Sequence, residues 1–171
     1  MDILDLESKI NNIILVGPMG SGKTTIVRYL LKQPTLNLDF SISATSREPR
    51  GAEIDGKDYF FLTDENFKRK INQGYWYEWI EFNGWYYGTS QRQFTTSCNL
   101  FIMTPKGIGH IDPVDRKECT IIYLNVDEKI RRKRLEAREM PGDSIDRRMD
   151  ADNKDFENFT DFDLEINNSN F

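Results

Sequence analysis

The sequence predicts an α/β layered fold around a parallel sheet, with a smaller β-rich lobe set into it. Three observations carry this reading. A short β-branched run, Ile13-Ile14-Leu15-Val16, is followed by the glycine-rich stretch Gly17-Pro18-Met19-Gly20-Ser21-Gly22-Lys23-Thr24 and then by the amphipathic segment Thr25–Leu31. Further apolar runs of strand length alternate with helical patterns, as a parallel sheet requires. Between residues 40 and 89 the pattern is mostly extended, and Asn83-Gly84 joins two aromatic runs, the strongest short hairpin signal.

Composition bounds the answer. The 171 residues suffice for one domain with a real core, and 38% hydrophobic with 30% charged residues is a globular balance. No apolar run approaches the length of a membrane span. The start, Met1 to Glu7, is acidic where a secretory signal is basic, so the expected location is cytoplasmic. A net charge of −5 argues against gripping nucleic acid. The basic residues nonetheless cluster, at Arg47/Arg50, Lys129 to Arg138 and Arg147/Arg148, and a local positive cleft suits a small polyanion. Cys98 and Cys119 fit no metal or redox spacing and read as small packed thiols.

In chain order, residues 1–11 form a polar lead-in. Strand Ile13–Val16 precedes the glycine loop, and a helix from Thr24 to Lys32 is stopped by Pro34. Phe40–Ser43 alternates as a strand, and residues 44–58 form a loop carrying Arg47 and Arg50. Tyr59–Leu62 reads as a strand, and Thr63 caps a helix from Asp64 to Gln73 that Gly74 ends. The hairpin Trp76–Phe82/Trp85–Thr89 follows, then a helical turn from Ser90 to Phe94. Strands are expected at Leu100–Met103 and Thr120–Asn125. Asp127 caps a basic helix, Glu128 to Arg138, whose residues Lys129, Arg131, Arg132 and Lys133 read as a solvated face. Ser144 caps a further helix with Ile145, Met149, Phe156 and Phe159 at helical spacing, and Leu164–Asn167 is a last strand.

The glycine stretch carries the chemistry. A G-x-x-x-x-G-K-[ST] run between a strand and a helix is a phosphate-binding loop. Its glycines let successive N–H groups turn inward, and the helix N-terminus adds donors and partial positive charge. Gly17 to Thr25 would bind a nucleoside triphosphate, with Lys23 on the β- and γ-phosphates and the Thr24 hydroxyl on Mg²⁺.

The inserted lobe is more specific. It carries Ser43, Arg47, Arg50, then Glu53-Ile54-Asp55-Gly56-Lys57-Asp58-Tyr59, then Glu78-Trp79, then Gly84-Trp85-Tyr86-Tyr87-Gly88-Thr89. This pattern resembles guanylate kinase, from the first strand to about Asn167. The resemblance implies a P-loop nucleoside monophosphate kinase fold. Within a single domain it implies a core (10–34, 95–127, 160–171), an acceptor lobe (35–94) and a helical lid (128–159). It implies transfer of the γ-phosphoryl group of ATP to GMP or dGMP with Mg²⁺. Arg47, Arg50, Tyr59 and Tyr87 would hold the acceptor phosphate, as guanidinium and phenol donors suit a dianion. Ser43, Glu78 and Thr89 would read the base. A carboxylate accepts from guanine N1–H and N2 together, which adenine does not offer. Tyr86 reads as hairpin packing. Arg138 and Arg148 match the lid's two transition-state arginines, and Asn167 an adenine contact.

Two departures qualify the match. Where the family carries an acidic D-x-D at the end of the central strand, this chain has Ile102-Met103-Thr104. That puts efficiency and sugar preference in question. The family also adds a C-terminal helix near Phe171, so this short, divergent version resembles a viral enzyme or a recent paralogue. Two rival readings stay open: a kinase for another (deoxy)nucleoside monophosphate, and a non-catalytic module of the same fold that binds phospholigands. The oligomeric state is not legible.

Overall fold

The computed structural model describes residues 12–137 and 144–167. Its core sheet is centred on β1 (Asn12–Val16), which pairs in parallel with β6 (Leu100–Ile102) and β7 (Cys119–Leu124). Strand β8 (Leu164–Ile166) extends the sheet beside β7, giving the order β6-β1-β7-β8. Successive β1 side chains go to opposite faces. Ile14 and Val16 join Phe94, Phe101 and Ile121 on one side, and Leu15 joins Leu100 and Val27 on the other. Both faces are covered, which is why the strand is a continuous apolar run. Val27 lies on α1 (Lys23–Leu30), reached through the glycine loop at the C-terminal edge of the sheet.

A second sheet, in the order β3-β2-β5-β4, is inserted between α1 and β6. β2 (Ala44–Thr45) runs parallel to β3 (Phe60–Phe61) and antiparallel to β5 (Trp85–Ser90). β4 (Trp76–Phe82) and β5 form the expected hairpin, with φ of 54° at Asn83 and 80° at Gly84. That pair of positive angles is what a type I′ turn demands. α2 (Asp64–Asn72) packs Phe67 on this sheet, and Thr63 caps it by accepting from the Asn66 N–H at 3.2 Å. The Phe67 ring stacks on Trp76 at 4.3 Å and on Tyr86 at 5.4 Å, so Tyr86 is indeed hairpin packing.

After β6 come α3 (Pro105–Ile108), α4 (Pro113–Arg116), β7 and α5 (Glu128–Glu136). α6 (Ile145–Phe156) follows Ser144, which caps it. Cys119 is a buried free thiol and Cys98 a half-buried one, both packed with the core.

Several expectations are corrected. The strand expected at Phe40–Ser43 is only a bridge from Phe40 to Leu100, and the pairing strand is Ala44–Thr45. The chain crosses there from core to lobe: the Ser41 N–H still donates to Leu100 O, while the Phe60 N–H donates to Ser43 O. The first helix ends at Leu30, and Pro34 opens a 3₁₀ turn instead of stopping a helix. Phe159 lies beyond α6, and joins Tyr123, Phe156 and Phe162 in an aromatic cluster. The polar lead-in, Arg138 and the Glu139–Asp143 break lie outside the described residues.

Phe67 is fully buried and holds α2 to the lobe sheet. Phe67→Ala is expected to lower unfolding free energy by about 3–5 kcal/mol through the cavity it leaves. A shift of the denaturant midpoint with unchanged slope checks this.

Candidate active site

The glycine loop curls because neighbours leave no room for side chains. A Cβ on Gly17 would lie 2.8 Å from Ser21 Oγ and 2.9 Å from Leu124 O. At Gly20, whose φ is 79°, a Cβ would meet Arg131 O at 2.9 Å. Lys23 folds back over the loop, its Nζ donating to Gly17 O at 2.5 Å and Pro18 O at 3.1 Å. Arg134 of α5 donates to Gly20 O at 3.1 Å and Ser21 O at 3.3 Å, holding the loop from outside. Thr24 and Thr25 are exposed on the first turn of α1.

Three elements converge on a cavity of about 50 Å³ beside this loop. The lobe contributes Arg50, Tyr87 and Trp85; the loop contributes Met19; α6 contributes Arg148 and Asp152. Arg148 is 5% exposed, and its Nη1 lies 3.7 Å from Met19 Sδ. Burial, then the like charges of Arg148 and Arg47, hold the Arg50 guanidinium below its usual pKa. Arg147 of α6 donates to Asn83 Oδ1 at 3.1 Å, so the helix also touches the hairpin tip.

Arg47 is placed differently from Arg50. It is 5% exposed and forms a two-pronged bond to Glu53, at 2.7 and 2.8 Å, with a third to Glu48 O. Its guanidinium also lies 5.0 Å from the Tyr59 ring centre, and Tyr59 packs edge-on to Tyr87 at 6.2 Å. Burial pushes the Glu53 carboxyl up, but the Arg47 side chain and the Arg50 N–H outweigh it and hold it below the usual range. Arg47 thus braces the arginine loop while Arg50 faces the cavity.

Glu78 and Thr89 are cross-strand partners of the hairpin and both are buried. Glu78 is 8% exposed, and a Cβ on Gly107 would lie 3.0 Å from its Oε2, so α3 closes over the carboxylate. Burial lifts its pKa from 4.5 to about 7, against hydrogen bonds from Thr89. Ser43 is half-buried just before β2. Asn167 is exposed after β8, at the sheet edge from which the glycine loop departs.

Sequence reasoning missed three residues here. Arg131, expected on a solvated face, is 5% exposed; its Nε donates to Val126 O and its Nη2 to Asn153 Oδ1. Arg134 holds the loop as described. Asp152 accepts from the Met19 N–H at 2.5 Å. Burial raises its pKa, against that hydrogen bond and the charges of Lys23 and Arg131. The available signal was its spacing, four residues after Arg148 and so on the same helical face.

A parallel-sheet core whose central strand feeds a glycine loop, with a lysine folded over it, defines a P-loop α/β protein. The guanylate kinase family model matches residues 9–171. The guanylate kinase of Rubrobacter xylanophilus is 32% identical over 165 residues, covering 93% of this chain and 86% of its own. That of Bacteroides thetaiotaomicron is 54% identical over 82 residues, but these are only 47% of this chain and 40% of the relative. The Aster yellows witches'-broom phytoplasma relative is 47% identical over 81 residues, 38% of its length. The crystal structure of guanylate kinase from Anaplasma phagocytophilum superposes with a TM-score of 0.68 at 21% identity, covering 92% of this chain and 76% of that one. The chain belongs to the guanylate kinase family. Among the described residues, no helix is long and apolar enough to cross a membrane.

The Glu78 carboxyl binds its proton more tightly folded than unfolded. Its contribution to stability is therefore whole below pH 4.5 and is lost as pH rises to about 7. Glu78→Gln is expected to lack this decline, gaining up to about 3 kcal/mol on wild type between those limits. Denaturant unfolding of both proteins across that window checks it.

Proposed function

We propose that this protein transfers the γ-phosphoryl group of ATP to GMP or dGMP, giving (d)GDP, as a cytoplasmic enzyme. The observation that carries the reading is the convergence of loop, lobe and α6 on one cavity, with Arg50 and Tyr87 on one side and Arg148 on the other. Opposed cationic walls suit two phosphate groups brought together in line.

In this reading the chain falls into a core (10–34, 95–127, 160–171), an acceptor lobe (35–94) and a lid (128–159). Loop N–H groups from Gly17 to Thr25 and the Lys23 ammonium hold the ATP phosphates. Arg50 and Tyr87 hold the acceptor phosphate, with Tyr59 behind Tyr87 and Arg47 fixing the loop. Glu78, Thr89 and Ser43 read the base, and the buried carboxylate becomes worth its desolvation when guanine N–H groups meet it. Arg148 stabilises charge on the transferring group, and the family pattern assigns the same task to Arg138. Asn167 would meet the adenine. The residues fit Mg²⁺ modestly: an exposed Thr24 hydroxyl opens α1, and Ile102-Met103-Thr104 ends β6 without a carboxylate. Thr24 would hold an ion otherwise liganded by phosphate oxygens and water, and that ion would neutralise charge between the β- and γ-phosphates.

An acceptor panel of GMP, dGMP, AMP and CMP with ATP and Mg²⁺, read by ADP release, tests the function. Turnover with GMP and dGMP alone is expected, and no turnover with either sinks the reading. Lys23→Ala is expected to abolish transfer while unfolding as wild type does. Glu78→Gln is expected to lower kcat/KM for GMP and dGMP roughly ten- to several-hundred-fold, and to shrink discrimination against AMP. Equal kcat/KM for GMP in variant and wild type would remove Glu78 from base recognition.

A further inference from the structure

Asp152 is a carboxylate placed where the loop is built to receive an anion. Its Oδ2 accepts from the Met19 N–H. That N–H belongs to the peptide whose carbonyl, Pro18 O, accepts from Lys23 Nζ at 3.1 Å. Carboxylate and ammonium therefore take opposite edges of the same peptide unit, near enough for the Lys23 charge to act on Asp152. Lys23 is the residue that a loop of this type turns toward the β- and γ-phosphates, so Asp152 stands beside the part of the loop that serves those two groups. The cavity it lines is otherwise framed by Arg50, Arg148 and Tyr87.

α6 is held there by contacts on several sides. Met149, on the helix face that packs inward, is 1% exposed. Asn153, next to Asp152, accepts from buried Arg131 of α5 at 3.2 Å. Arg147 reaches the hairpin tip at Asn83. The carboxylate is thus delivered by a docked helix, and it occupies one loop donor, the Met19 N–H, that an entering phosphate would compete for.

We propose that Asp152 is a specificity-determining residue: a tethered anion in the γ-phosphate seat that sets the preference between nucleoside tri- and diphosphate. The inference rests on the phosphotransferase reading above. A triphosphate must expel the carboxylate from the Met19 N–H and meets its like charge. A diphosphate ends short of that seat and leaves the helix docked. Asp152 therefore weakens ATP selectively and favours retention of ADP under a closed helix.

The test is calorimetric affinity for ATP and for ADP, with Mg²⁺ and without acceptor, so that no transfer occurs. Asp152→Asn keeps the shape and an acceptor for Met19 but removes the charge. Asp152→Ala removes both, and guards against an effect of the new amide. Both variants are expected to bind ATP at least about fivefold more tightly than wild type, with ADP changed less than about twofold. Equal changes for the two nucleotides, or weaker ATP binding, overturn the proposal while wild-type binding stands. Failure of wild type to bind ATP overturns the phosphotransferase reading and this one with it.

Discussion

The close approach of α5 to the phosphate loop is the constraint on which the rest of the site depends. Gly20 runs against the Arg131 backbone, where a side chain would collide. Arg134 takes the carbonyls of Gly20 and Ser21. Peptides are planar, so a carbonyl fixed toward α5 turns the N–H of the next residue to the opposite side. The peptides ahead of Ser21 and Gly22 are thus oriented by residues more than a hundred positions later in the chain, and the Ser21 N–H closes a turn onto Pro18 O at 3.2 Å. Arg131 locks the same helix in place through Val126 O and Asn153. The loop's shape is a tertiary property that its own sequence permits and α5 imposes.

The cavity brings two arginines together beside one carboxylate, Asp152. Arg47 is neutralised by Glu53, and its bond also fixes the loop that carries Arg50. Arg50 and Arg148 face each other from lobe and helix, and the lowered pKa of Arg50 records the cost of burial and of that proximity. A bound phosphate would relieve the repulsion, which is a physical reason for anion affinity at a site on an acidic protein.

Much of this was legible in the sequence because the signals were local. Asn83-Gly84 demanded a hairpin, Thr63, Asp127 and Ser144 announced helix starts, and the glycine loop sat between a strand and a helix. Two short helices were missed although Thr104-Pro105 and Asp112-Pro113 each combine a cap with a first-turn proline. They were too short for periodicity to register. The failures at Arg131, Arg134 and Asp152 share another cause. A helix of alternating basic residues reads as solvated, and only packing against the loop decides which of its arginines is buried. The division of labour between Arg47 and Arg50 was equally invisible, since the bond to Glu53 depends on how the loop closes.

All three tryptophans of the chain, Trp76, Trp79 and Trp85, lie in the β4–β5 hairpin. The core sheet and α6 contain none, so intrinsic indole fluorescence is a report on the lobe alone. Trp76 is buried under Phe67 and serves as a fixed background. Trp85 lines the cavity with the Arg50 guanidinium 6.0 Å from its ring centre. Any anion that draws Arg50 away changes the electric field on that one ring. The hairpin thereby carries a built-in optical probe of anion entry into the cavity that requires no label.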